Sequence, residues 1–301
     1  MKHRIKHLAE YGLLRFAQTT LGLLPYRIAL LLGWLLAAAG ALAMPGKLRR
    51  ARRRMRAVFG AEYSDRRLRR MAWIAWRNLA FNMVENMRLH RLTRRWLDRH
   101  FDPGDSFRRL DEGGKGQGGI IAVPHMGNWE MSGLACQIYG YPIIVILGKQ
   151  RNPLTNRYFR FARERLGILA LERGTELMRP IARGIKSGRY LAILPDSRMP
   201  YPDLPVPFLG GTANLGSGMA VFARMTRRRI VPCLPTRVGW TRHRVIALDP
   251  VEPIVTDDKT ADIRAMTEAV VRQIEAGIRR HPEQWFWYNA RWALDPVEER
   301  K

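Results

Sequence analysis

The spacing of apolar and polar positions follows three regimes along the chain. Ile28 to Met44 is a run of 17 residues without a charge, closed by Pro45 and followed at 47–56 by the basic stretch KLRRARRRMR. From Ser64, a residue suited to an N-cap, to about Leu92, apolar side chains recur at helical intervals: Leu68, Met71, Ala72, Ala75, Leu79, Phe81, Met83, Val84 and Met87. Arginines occupy much of the rest of that segment. Beyond residue 118 short β-rich runs at 119–123, 142–147, 168–171, 190–194, 230–234 and 244–248 alternate with helical segments at 129–139, 153–166, 175–187, 216–227 and 260–280. That alternation predicts an α/β fold, a layered αβα domain around a largely parallel sheet. GGKGQGG at 113–119 reads as a flexible lead-in. The chain therefore divides into residues 1–110, a hydrophobic anchor with a basic helical flank, and residues 111–301, the α/β domain.

Composition narrows the class. A hydrophobic content of 47% excludes general disorder. Cys136 and Cys233 lie far apart with no C-x-x-C pairing, so neither a disulfide framework nor a zinc site is expected, and both read as small buried apolar residues. The net charge of +26 demands an anionic partner, and nucleic acid and anionic lipid both satisfy it. An apolar segment abutting a basic one is what a membrane interface selects. The segment sits at the lower limit of the ~17 to 25 residues a spanning helix needs. Two other readings are a buried core helix and a signal peptide, for which Ala41-Leu42-Ala43 resembles a cleavage site. Against cleavage stand the long leader and the positive cluster just after it, so an uncleaved anchor with the following domain on the cytoplasmic side is expected. Trp73 and Trp76 suit either the headgroup level or packing inside the protein.

The chemistry concentrates in GIIAVPHMGNWE at 119–130. A strand delivering His125 to a loop, with Glu130 in the first turn of the next helix, places a base beside an anion able to orient it. Unperturbed His titrates near ~6.5, and a carboxylate on one ring nitrogen fixes the tautomer and stabilises the imidazolium formed as a proton is taken. The helix opening near Asn128 offers free backbone amides to a developing oxyanion. A serine nucleophile is disfavoured, because Ser217 sits in LGSGM, where G-x-S-x-G would need glycine at Leu215.

HMGNWE resembles the H-x-x-x-x-D/E signature of glycerolipid acyltransferases, in the form used by the lipid A late acyltransferases of the lauroyl and myristoyl type. LPDS at 194–197, VPFLGG at 206–211 and HPEQWFWYNARW at 281–292 follow in that family's order, so the resemblance covers nearly the whole chain. It implies a glycerolipid-acyltransferase-like fold and transfer of a fatty acyl chain from acyl carrier protein to a hydroxyacyl chain of a phosphorylated lipid A precursor, at the bacterial inner membrane. His125 would be the general base and Glu130 its orienting partner. The resemblance also implies a functional arginine at Arg163, with Arg160 as the alternative placement, and an acidic substrate-site residue at Asp196. Phe208 and Gly210 would shape an apolar acyl or glycolipid groove, or form a packed turn. DSR stands where many relatives have DQ, and Asn289 where relatives carry another polar residue, so no role is assigned to it. No metal or other cofactor is implied. The runner-up is the same chemistry on a phosphatidylinositol mannoside or a glycerolipid. A nucleic-acid-binding protein would leave HMGNWE and the apolar segment unexplained.

Overall fold

The computed structural model describes residues 2–295 except 113, 115, 149–150 and 174–175. Four helices come first: α1 (Lys2–Leu23), α2 (Tyr26–Ala43), α3 (Pro45–Phe59) and α4 (Asp65–Met87). Ser64 caps α4 by accepting from the Arg67 amide at 3.3 Å. Small residues let α2 lie against α4, since Ala29, Gly33 and Ala37 are buried and a Cβ on Gly33 would come within 3.0 Å of Val84. Trp76 donates to the carbonyl of Ala37 at 2.9 Å, and Trp73 meets Trp34 edge-on, so both tryptophans pack within the protein. The opposite face of α2 is open, with Leu31, Leu35, Leu36 and Leu42 exposed. By length and composition α2 is apolar enough to cross a membrane.

The rest alternates strands and helices: α5 (Arg94–His100), β1 (Phe101–Asp102), α6 (Ser106–Asp111), β2 (Gly119–Ala122), α7 (Trp129–Ile138), β3 (Ile143–Leu147), α8 (Pro153–Glu164), β4 (Leu169–Glu172), α9 (Met178–Lys186), β5 (Tyr190–Ile193), β6 (Leu204–Phe208), β7 (Gly211–Leu215), α10 (Gly218–Thr226), β8 (Ile230–Val238), β9 (Arg242–Ala247) and α11 (Lys259–Arg280). Seven strands form one sheet in the order β1-β9-β8-β2-β5-β3-β4. β8, β2, β5, β3 and β4 run parallel, and β9 pairs with β8 antiparallel. This is the largely parallel sheet the alternation predicts.

Strand periodicity sorts the core to two faces. Ile120 and Ala122 of β2 join a cluster with Ala51, Met55 and Phe59 of α3, Leu68 and Met71 of α4, Ala220 of α10 and Val270 of α11. Ile121, between them, joins the other cluster with Leu97, Leu110, Leu134, Cys233 and Val245. β6 and β7 form a separate hairpin whose turn has Leu209 and Gly210 both at positive φ, 52° and 81°. Two central residues at positive φ match the twist of hairpin strands.

Candidate active site

β2 ends at Ala122, and the Val123 amide still donates to Ile193 at 2.9 Å, so the two central strands release their loops side by side. One loop carries His125 and the other Asp196, outside the carboxyl ends of parallel strands, where open α/β sheets place ligands. The Asp196 carboxylate lies 2.8 Å from His125 Nδ1 and accepts the His125 amide at 2.7 Å. Its Oδ2 also accepts the indole N–H of Trp285 at 2.7 Å. Asp196 is therefore buried yet fully engaged. Burial alone would raise its pKa, but the facing imidazole, together with these three bonds, holds it below the usual carboxylate range. For His125 burial acts to lower the pKa, whereas the charge and hydrogen bond of Asp196, aided by the charge of Glu130, bring it above its ordinary value. With Nδ1 committed to Asp196, Nε2 is the nitrogen left to act as a base.

This corrects the expected dyad. The carboxylate on the ring is that of Asp196, and Glu130 instead pairs with Arg163 at 3.1 Å. Glu130 sits in the first turn of α7, while Asp196 comes to Nδ1 from the loop after β5. Asp196, expected at the substrate site, is the residue that partners the imidazole. Of the two arginine placements, Arg163 reaches Glu130 across the cleft, while Arg160 pairs with Glu164 at 3.6 Å on its own helix. Asn128 stands at the helix opening, as expected. It is buried as the N-cap of α7, accepting the Met131 amide at 3.0 Å and donating to Glu85 at 2.7 Å. The amides of Trp129 and Glu130 remain at the positive end of the helix. Phe208 and Gly210 lie away from the cleft in the β6–β7 hairpin, where Phe208 packs edge-on against Trp285.

His125, Trp129, Glu130 and Arg163 line a cleft of about 1340 Å³. It runs back along β2 past Val123 and Ile121 and is walled by apolar residues including Leu110, Leu134, Ile143 and Ile168. The volume exceeds the ~300–1,000 Å³ of ordinary small-ligand sites. Its outer wall is α8 held to α1: Asn152 donates to the His7 carbonyl and to Glu10, each at 2.9 Å, and Tyr158 donates to Gln18 at 2.7 Å. Both cysteines are free, and burial raises their thiols, so neither is a ready nucleophile. Ser217 donates to Asp203 at 2.8 Å, outside the cleft. Among the described residues no group of three or more metal-ligating side chains occurs.

The sequence reading missed Trp285 as the second ligand of Asp196, and Ser197, whose hydroxyl lies 3.3 Å from His125 Nδ1. The aromatic segment 285–292 was visible, but its use was not. Trp285, Trp287 and Trp292 are buried against one another, so they offer no open stacking platform.

With this geometry in view, comparison with known proteins is decisive at the level of family. A model of the bacterial lipid A biosynthesis acyltransferases matches residues 1–293. The chain belongs to that family. Within this acyltransferase family, it is 27% identical over 195 residues to a phosphatidylinositol mannoside acyltransferase of Mycolicibacterium smegmatis, covering 62% of this chain and 60% of the relative. It is 27% identical over 222 residues to one of Mycobacterium tuberculosis, covering 70% and 66%. A lipid A biosynthesis acyltransferase of Haemophilus influenzae is 25% identical over 176 residues, covering 58% and 53%. These matches span somewhat under two thirds of the relatives' own length.

Proposed function

We propose that this member of the family transfers a fatty acyl chain from acyl carrier protein to a hydroxyl on a hydroxyacyl chain of a phosphorylated lipid A precursor. His125 Nε2 takes the proton of the acceptor hydroxyl as its oxygen attacks the thioester carbonyl. Asp196 keeps the ring in the required tautomer and stabilises the imidazolium, and Glu130 adds negative charge nearby. The amides of Trp129 and Glu130 face the developing oxyanion, and collapse of the tetrahedral intermediate expels the carrier thiol. The acyl chain occupies the apolar run beside β2, while Arg163 holds an anionic group of a substrate at the cleft. The observation that carries this reading is a histidine pinned by a buried aspartate at the wall of a large apolar cleft.

The open face of α2 and the basic flank of α3 support seating on the cytoplasmic face of an inner membrane. Lys47, Arg49 and Arg53 are exposed just beyond the end of α2. The mannoside relatives support a second reading, the same chemistry on a phosphatidylinositol mannoside. The test is transfer of radiolabelled lauroyl, myristoyl or palmitoyl chains from acyl carrier protein, or from coenzyme A, to tetraacylated lipid A precursor and to phosphatidylinositol dimannoside in parallel. Product on the lipid A precursor alone is expected. Product on the mannoside alone transfers the assignment to the second reading, and product from coenzyme A alone overturns the carrier-protein donor.

A further inference from the structure

Behind the reactive loop lies a buried polar cluster that takes no part in the proton transfer. Glu85 of α4 is fully enclosed. Its Oε2 accepts from Arg237 Nη2 at 2.6 Å and from Asn128 Nδ2 at 2.7 Å. Its Oε1 accepts from Arg237 Nη1 at 2.7 Å and from the Tyr26 hydroxyl at 2.6 Å, with His243 Nε2 at 3.2 Å. Arg237 also donates to Asn82 Oδ1 at 2.8 Å, and Asn82 donates onward to the carbonyl of Gly127. The Arg237 amide binds Gln284 Oε1, and the Gln284 carbonyl accepts the Gly127 amide, both at 2.9 Å. Glycine is required at 127, because a Cβ there would stand 2.4 Å from the Pro235 carbonyl.

Three arms of this cluster, through Asn128, Asn82 and Gln284, end on residues 127 and 128, between the base and the first turn of α7. A buried ion pair is a poor stabiliser, since well-packed apolar side chains of similar volume serve the fold as well or better. The cluster's convergence on one short segment suits a different use. Resting on the reading of His125 as the base, we propose that Glu85 and Arg237 are positioning residues. Through Asn128 and Gly127 they fix where His125 and Glu130 stand relative to each other. Tyr26 joins the cluster to the first turn of α2, so the helix with the open apolar face is tied to the reactive loop by one side chain.

The protein in detergent micelles tests this with Asn128→Ser, Glu85→Gln, the double variant and a control, Thr267→Val, which removes a hydrogen bond internal to α11 that involves no residue of the cluster. Serine retains an N-cap acceptor for α7 but is too short to reach Glu85. For Asn128→Ser we expect kcat to fall ~10- to 100-fold, with KM for the acyl donor within about threefold and a Tm no lower than the control's. The double variant is expected to lose no more than its poorer single, because both changes cut one link. Wild-type kcat in folded Asn128→Ser, or losses that multiply, would overturn the proposal. If Glu85→Gln does not fold, Asn128→Ser alone decides. Absence of turnover in the wild type would sink the reaction assignment, and ¹⁵N-histidine NMR then decides the positioning claim. A His125 resonance that moves in Asn128→Ser and not in Thr267→Val supports it, and one unmoved in both refutes it.

Discussion

At the scale of single residues, the candidate site is a histidine whose ring is held by the Asp196 carboxylate, with the charge of Glu130 nearby. Because the Asp196 charge and hydrogen bond lift the His125 pKa above its ordinary value, its free-base form, and with it activity, is lost as pH falls through a midpoint above ~6.5. The linked contribution to stability has the opposite sense. A folded pKa raised above the unfolded one stabilises fully below ~6.5 and is lost as pH rises through the folded value. Trp285→Phe leaves Asp196 Oδ2 with the His125 amide alone. Removing one donor to a buried carboxylate is worth ~1–3 kcal/mol, so kcat should drop about tenfold with donor KM unchanged in steady-state assays. Arg163→Ala should raise the KM of the anionic substrate more than it lowers kcat, and an equal fall in kcat and kcat/KM would remove it from the binding role. The sequence singled out His125, Asp196, Glu130 and Arg163 as candidates but expected Glu130 on the ring, where Asp196 stands. Sequence distance favoured Glu130, five residues from His125, whereas the parallel pairing of β2 with β5 brings Asp196 alongside from 71 residues away.

At the scale of elements, periodicity was a reliable guide where burial has a period and failed where proline hides it. The boundaries of β2, β3, β5, α7 and α11 all fall within one residue of the expected runs. The β6–β7 hairpin was read only as a groove or a packed turn. Pro205 and Pro207 interrupt a run whose Leu204, Val206 and Phe208 are buried and in step, and prolines normally demote a strand. They are tolerated here because this is a two-stranded hairpin, where both strands are edges. The α2–α4 contact gives an element-scale prediction. Gly33→Leu drives a branched side chain into Val84 and Phe81, and the helices must separate. The loss should be ~1–3 kcal/mol, read as a lower Tm in detergent, whereas Gly46→Leu at an open position should leave Tm nearly unchanged.

At the scale of the molecule, the open leucines of α2 and the arginines that follow it point the same way as the substrates proposed. An apolar face and a positive flank cooperate at an anionic bilayer. Leu35→Glu with Leu36→Glu should release the protein from anionic vesicles in flotation, with melting unchanged because both side chains are exposed. Retention on the vesicles would show that α2 is not the contact. The central claim, that His125 is a base governed by Asp196, is tested most directly by the pH dependence of kcat/KM for acyl transfer in wild type and Asp196→Asn, with His125→Ala as the null. The account predicts that His125→Ala abolishes transfer, and that Asp196→Asn lowers the plateau ~10²- to 10⁴-fold while its acid limb moves to lower pH. An Asp196→Asn enzyme that is folded, with wild-type plateau and an unmoved limb, would contradict it.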